Sequence, residues 1–270
     1  MQSSPRVVVA LAAVLSLLAL CPRASGKVEV KPYLDIQTKY DDNIFQTEND
    51  TQSSGKFIAD IDLSFDVNRE QMFLSLRYMP IFIYWTDRPS DDTDLNHAFD
   101  GTFRYEFTPR TSLRIKDTFR LSQDAYVNPR QTSSDVNNDY IYNSLDGTLS
   151  YLLRPATRLS FAARWITLAY DEERLVALPD GTTQDISQDY DIYVGGLTLR
   201  QSLRPNTGLL VDARYQSVEY ATQSRDFESV YAGLGVEQVF SPKLLGSLRG
   251  GYQYVDYAEA ATGDDSNPYG

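Results

Sequence analysis

From Phe57 to Val67, apolar side chains recur at every second position. Phe57, Ala59, Ile61, Leu63, Phe65 and Val67 share one parity, while Asp60, Asp62, Ser64 and Asp66 share the other. Successive side chains of a β-strand point to opposite faces, so this segment reads as a strand with an apolar face and a carboxylate-bearing face. Three carboxylates cannot enter a dry core without partners. They suit a water-filled lumen, with the apolar face turned to lipid.

The pattern returns along the chain. Phe99, Gly101, Phe103, Tyr105 and Phe107 alternate with Asp100, Thr102, Arg104 and Glu106. Leu113, Ile115, Phe119 and Leu121 alternate with Arg114, Lys116, Thr118 and Arg120, and Asp117 breaks the apolar parity there. Leu209, Val211, Ala213 and Tyr215 alternate with Asp212, Arg214 and Gln216. The alternation predicts eleven strands, near 28–40, 57–68, 72–86, 95–107, 112–126, 139–153, 158–170, 190–203, 208–220, 227–240 and 244–259. Two are irregular. Val194-Gly195-Gly196-Leu197 switches phase, which predicts a bulge. Pro80 cannot donate to a ladder, which predicts a bulge or a weakly paired edge.

A Pro-x-Thr-x-Leu turn joins successive strands at Pro109, Pro155 and Pro205, and a looser copy lies at Pro242. A further short turn spans Asn68–Gln71. The other connections, Asp41–Lys56, Asp87–Asp94, Val127–Asn138 and Asp171–Asp189, are long, polar and acidic. Tight turns on one side and long polar loops on the other describe an all-β fold: an antiparallel, up-and-down transmembrane β-barrel of the bacterial outer membrane. The tight turns are then periplasmic and the long loops extracellular. Tyr40, Tyr84, Tyr126, Tyr140, Tyr170 and Tyr220 lie where strands meet the loops, and Phe65, Phe73, Phe107 and Phe240 lie toward the turns, as two interfacial girdles would. Eleven strands is an odd number, whereas bacterial single-chain barrels normally have an even one. The tail Glu259–Gly270 reads as an outside loop with no terminal strand, so the expectation is an incomplete barrel whose closing strands lie beyond residue 270.

The first 26 residues read as a secretory signal peptide. Arg6 precedes an apolar run of 14 residues, Val7–Leu20, and Ala24-Ser25-Gly26 offers a small-residue cleavage site. That run is too short for a spanning helix. Cys21 is the only cysteine, and Leu20 is too large for the residue that precedes a lipidated one. Residues 27–270 form the barrel domain, which then has no disulfide.

Charge narrows the partners. The formal net charge is −12, and removing Arg6 and Arg23 with the leader takes it to −14. That balance argues against nucleic acid, which needs a basic face. Mean hydropathy is −0.38. Barrel strands give so low an average because every second residue meets water. Tyrosine, at 19, outnumbers phenylalanine at 12 and tryptophan at 2, which suits a chain with many residues at membrane–water boundaries.

The strand pattern, the Pro turns and the opening strand Val30-Lys-Pro-Tyr-Leu-Asp-Ile-Gln-Thr-Lys-Tyr-Asp-Asp-Asn-Ile-Phe45 resemble the β-barrel porin family of Gram-negative outer membranes. Some members of that family accompany exopolysaccharide gene clusters. The resemblance covers most of residues 28–258. It implies more strands than are visible here, and it carries no catalytic motif.

No enzymatic constellation emerges. His97 is the only histidine, set among Asp94, Asn96 and Asp100 at a strand mouth, and it reads as solvated; no nucleophile elbow accompanies it. Asp91-Asp92-Thr93-Asp94 reads as a solvated acidic loop before it reads as a cation site. Gly195-Gly196 and Gly250-Gly251 read as bulges or close strand contacts rather than phosphate loops. No cofactor is expected.

The predicted pore-lining residues are Asp60, Asp62, Asp66, Arg77, Arg104, Glu106, Arg114, Lys116, Arg120, Arg164, Arg200, Asp212 and Arg214, with Arg249 of the same parity. Acids concentrate on the second strand and bases on the fourth and fifth. The acidic loops add negative potential at the mouth, which favours cations. Three readings stay open. The first is a passive, water-filled and cation-preferring pore for small solutes. The second is the barrel of an exopolysaccharide export or assembly system, with Tyr140, Tyr142 and Tyr193 as lumenal aromatics. The third is a soluble secreted β-protein. The expected partners are outer-membrane lipid, small solutes or polysaccharide, and other copies of the chain in a homo-oligomer.

Overall fold

The computed structural model describes residues 26–43, 53–87, 92–122, 140–170, 175–177, 183–185, 189–221, 226–258 and 265–269. Apart from Gly26, the leader and Cys21 lie outside these residues, as does Tyr126. The strands are β1 (Lys27–Asp41), β2 (Ser54–Arg69), β3 (Met72–Trp85), β4 (Thr93–Thr108), β5 (Thr111–Ser122), β6 (Tyr140–Arg154), β7 (Thr157–Tyr170), β8 (Leu175–Ala177), β9 (Thr183–Asp185), β10 (Tyr190–Arg204), β11 (Thr207–Tyr220), β12 (Phe227–Ser241), β13 (Leu244–Tyr257) and β14 (Asp265–Tyr269). Twelve of them form one antiparallel up-and-down sheet in the order β1-β2-β3-β4-β5-β6-β7-β10-β11-β12-β13-β14. The strands β8 and β9 pair only with each other, as a small ribbon. Among the described residues β1 and β14 do not pair, so the sheet is open at that seam.

All eleven expected strands are present. The tail is different. Asp265–Tyr269, expected in a loop, pairs antiparallel with Gly251–Val255 of β13. The β13 edge offers unpaired backbone groups, and Pro268 is tolerated because it sits on an edge strand. With Asp265–Tyr269 the main sheet counts twelve strands among the described residues, and it remains unclosed.

The Pro turns do more than reverse the chain. Each leaves two residues outside the ladder, and the register of the preceding strand slips just before it: at Glu106/Thr108, Leu152/Arg154, Ser202/Arg204 and Val239/Ser241. The turn carbonyl of one hairpin then accepts a hydrogen bond from the next. Gln71, Arg110, Ala156 and Asn206 accept from the N–H groups of Glu106, Leu152, Ser202 and Val239 at 2.7–2.8 Å. Each of these donors lies three residues before its proline. The bulge frees an N–H that would otherwise point away from the ladder, and the neighbouring turn takes it up. The threonine of the motif adds a side-chain link: Thr157 Oγ1 donates to Gln201 Oε1 and Thr207 Oγ1 to Gln238 Oε1, both at 2.6 Å.

At the opposite rim two aspartates repeat a different device. Asp189 accepts from the Tyr170 N–H through Oδ1 at 3.1 Å, and its carbonyl accepts from the Ala221 N–H at 3.1 Å. Asp226 does the same for the Tyr220 N–H at 2.7 Å and the Ala258 N–H at 2.9 Å. Each thus ties the ends of two hairpins together.

The irregular strands resolve in physical terms. The β10 register runs through Gly195 and Gly196 without a shift on either side, so no bulge lies there. Val194 simply joins the charged face, opposite Arg164 and Gln216. Pro80 sits inside the sheet, paired with His97 of β4. On the β2 side the pairs around it, Ile61 and Asp62 with Pro80 and Met79, drop out of an otherwise continuous register. The weak pairing is there and the bulge is not, because Pro80 removes a donor without adding a residue. Gly251 marks a close contact, as expected: an added Cβ would lie 2.5 Å from the Ala232 carbonyl oxygen and 2.7 Å from the Tyr231 ring.

The charged face of the sheet

Directly opposed residues of neighbouring strands point to the same face. Following the register across β2–β13 places every predicted pore-lining residue on one face. Asp60, Asp62 and Asp66 of β2 share it with Arg77 of β3, Arg104 and Glu106 of β4, and Arg114, Lys116 and Arg120 of β5. The same face continues through Arg164 of β7, Arg200 of β10, Asp212 and Arg214 of β11, and Arg249 of β13. The other face is apolar, and Ile61, Leu63, Phe161, Leu197, Leu234 and Leu248 are exposed on it.

Most of the charges on this face are paired across strands. Arg77 grips Asp62 through Nε at 2.9 and 3.0 Å and through NH2. Arg120 NH2 holds both oxygens of Asp100 at 3.0 and 3.1 Å, with Thr118 Oγ1 donating to the same carboxylate at 3.2 Å. Arg164 pairs with Asp146. Glu237 accepts both Arg249 at 3.1 Å and Arg200 at 3.2 Å. Asp66 meets Lys31 at 3.4 Å, and Asp212 accepts from Thr198 at 2.8 Å. Arg214 instead stacks on Tyr231, 5.4 Å from the ring centroid. That ring lies over Gly233 and Gly251, which explains both glycines.

Sequence reasoning missed two features of this face. One is a buried group near the loop ends of β2–β4. Trp85 Nε1 donates to Asp94 Oδ2 at 2.7 Å, Lys56 Nζ sits 4.5 Å from the Trp85 ring centroid, and Trp85 and Asp94 are almost fully buried. Asp94 is therefore a structural partner of Trp85 rather than part of a solvated loop. Among the described residues no cluster of acids and histidines has metal-binding geometry; Asp91 lies outside them.

The other is an aromatic arc. Tyr140 and Tyr170 oppose each other with centroids 6.1 Å apart, as do Tyr190 and Tyr220 at 6.1 Å and Phe227 and Tyr257 at 5.9 Å. Tyr142 stands in register with Arg120. All of these rings lie on the charged face near the loop-side strand ends. Tyr140, Tyr170 and Tyr220 thus do not belong to an outward girdle, whereas Tyr40 and Tyr84 are on the apolar face and exposed. Tyr193 is also on the apolar face, in register with Trp165, and so is not lumenal. At the turn side Phe65, Phe103, Tyr105 and Phe107 lie on the apolar face, and the first three pack over the buried cluster Val67, Met72 and Leu74. Phe73 is on the charged face, under Arg104, so it leaves the expected girdle. His97, expected in a polar margin, lies on the apolar face and shares a 2.7 Å hydrogen bond with Tyr78 Oη.

A profile of the family described as "Putative beta-barrel porin 2" matches residues 24–268. The chain belongs to that family. It is a β-barrel protein of the porin class, and its place is the bacterial outer membrane. No curated protein sequence matches the chain. Solved structures of similar fold include an outer membrane channel from Pseudomonas putida F1, at 12% identity and a TM-score of 0.46, covering 92% of this chain and 93% of that one. A FadL homologue from Pseudomonas aeruginosa aligns at 9% identity and a TM-score of 0.42, covering 85% of this chain and 69% of that one. OmpT, an outer membrane protein of Vibrio cholerae, aligns at 10% identity and a TM-score of 0.41, covering 90% and 93%. In this porin-family chain the two-faced sheet has its ordinary meaning: one face suits lipid and the other suits water.

Proposed function

We propose that this protein forms a passive, water-filled pore for small polar solutes, with the charged face lining the lumen. The observation that carries the reading is the segregation of Asp60, Asp62, Arg77, Arg104, Arg114, Lys116, Arg120, Arg164, Arg200, Asp212 and Arg214 onto one face, against a predominantly apolar face. Ion pairs over much of the wall weaken the field there. Sign preference then belongs to the mouth, where the segments 41–56, 87–94 and 171–189 carry many more acids than bases. Such a rim concentrates cations. The seam between β1 and β14 must find backbone partners for the pore to stand in lipid.

Planar-bilayer recording of the refolded protein under a salt gradient tests this reading. Stable conductance steps with a reversal potential shifted toward the cation side are expected. A folded, inserted protein that passes no current would overturn the pore.

A second reading, passage of a polysaccharide, is favoured by the inward arc of Tyr140, Tyr142, Tyr170, Tyr190 and Tyr220. Aromatic faces with hydroxyl tips suit the apolar and polar sides of a sugar ring. Reversible current block by soluble oligosaccharides, lost in Tyr190→Ala/Tyr220→Ala, would move this reading ahead of the first.

A further inference from the structure

We infer that Arg104, Arg114 and Lys116 form an oxyanion-binding station on the charged face, taking solutes that carry a carboxylate or phosphate group. The inference rests on the pore reading above. Arg104 and Arg114 are directly opposed across the β4–β5 ladder, and Lys116 is the next residue of β5 on the same face. All three are exposed. Among the described residues none of them has a carboxylate within ion-pair distance. Elsewhere on the wall, Arg77, Arg120, Arg164, Arg200 and Arg249 all have one.

Acids are at hand but engaged or turned elsewhere. Asp146 opposes Lys116 in register but pairs with Arg164. Asp100 is held by Arg120. Glu106 is two residues from Arg104 on the same face and opposes Ser112, not Arg114. Like charges directly opposed across a ladder are unfavourable, so the wall keeps three adjacent cations whose repulsion a bound anion relieves. Arg104 is also positioned: its guanidinium carbon lies 5.6 Å from the Phe73 ring centroid. A stacked guanidinium presents its edge donors to a planar or tetrahedral oxyanion, with Arg114 offering a second fork and Lys116 a point charge. The station lies toward the turn side of β4 and β5, beyond the acidic mouth. A solute would meet negative potential first and this positive one further in.

The probe is inorganic phosphate, added to the full chain in bilayers carrying potassium chloride current. Phosphate is expected to reduce the wild-type current, and Arg104→Gln/Arg114→Gln/Lys116→Gln to weaken that block by about tenfold or more, the worth of one lost charge-assisted contact. Arg158→Gln, an exposed cation of the same face on β7 and outside the station, should leave the block intact. Equal block in the triple variant and the wild type, or no block in either, would overturn the station while leaving the pore standing. If neither protein conducts, the pore reading falls and the thermal unfolding midpoint in detergent decides the station by itself. A phosphate-dependent rise confined to proteins that keep the three cations supports it, and a rise in both or in neither overturns it.

Discussion

Asn143 Nδ2 donates to Asp117 Oδ1 at 3.0 Å on the apolar face of the sheet. Asp117 is the one residue that breaks the apolar parity of its strand, and the register sets it against Gly101 on one side and Leu145 on the other. The small Gly101 leaves room beside it. Asn143, two residues from Leu145 along β6 and on the same face, supplies the donor that a carboxyl group facing lipid requires.

Replacing Asp117 by Leu alone leaves the Asn143 amide without its carboxylate partner and should lower folding stability by about 1–2 kcal/mol. Asp117→Leu/Asn143→Leu removes both polar groups and should recover that loss or exceed it. Equilibrium urea unfolding of the detergent-folded protein measures both. Equal losses in the single and double variants would show that the two side chains are not coupled.

The Pro-turn latch predicts additive losses. Thr157→Val and Thr207→Val each remove one side-chain bond to a glutamine on the next hairpin, and each should cost about 1 kcal/mol. The two links lie on different hairpin pairs, so the double variant should show the sum. The same unfolding assay reads it, and a double variant no weaker than either single would refute independent links.

At the loop side, Asp226→Ala removes the side-chain acceptor of the Tyr220 N–H, and Asp189→Ala that of the Tyr170 N–H. Each should cost about 0.5–2 kcal/mol, in the range of lost backbone caps. Amide hydrogen exchange should speed up at Tyr220 in the first variant and at Tyr170 in the second, without spreading to the turn-side rim. Exchange that rises throughout the sheet would mean the two aspartates do more than cap.

Two adjacent glycines should respond differently. An added Cβ at Gly251 meets the Ala232 carbonyl oxygen at 2.5 Å and the Gly233 Cα at 2.8 Å, backbone atoms that cannot move aside, so Gly251→Ala should cost about 1–3 kcal/mol. At Gly250 nothing lies within 4 Å, and Gly250→Ala should be neutral or slightly stabilising because alanine loses less backbone entropy. Comparing the two unfolding midpoints checks this. Equal midpoints would contradict the packing of Tyr231 over the glycine floor.

Much of the site is legible in the sequence because strand periodicity is local. The charged residues from Asp60 to Arg214 lie in mid-strand, where a period of two assigns each to a face without reference to any other strand. The interfacial tyrosines are harder. Residue type points Tyr140, Tyr170 and Tyr220 outward, toward a membrane boundary, while phase puts Tyr140 with Tyr142 and Asp146. Phase holds, because a side chain cannot change faces without a slip of register. The same logic places Tyr193 on the apolar face and His97 beside Tyr78.

The sequence by itself determined the alternation, the place of each tight turn and the face that each mid-strand residue takes. Those depend on neighbours a few positions away and on the fixed geometry of extended chain. Only the tertiary structure decided which charges meet. Arg77 finds Asp62, Arg120 finds Asp100, and Arg104 faces Arg114, because pairing depends on how far one strand is shifted against the next. That shift is set by two-residue turns acting together with the bulges beside them, a relation among residues far apart in the chain that no single-strand pattern encodes.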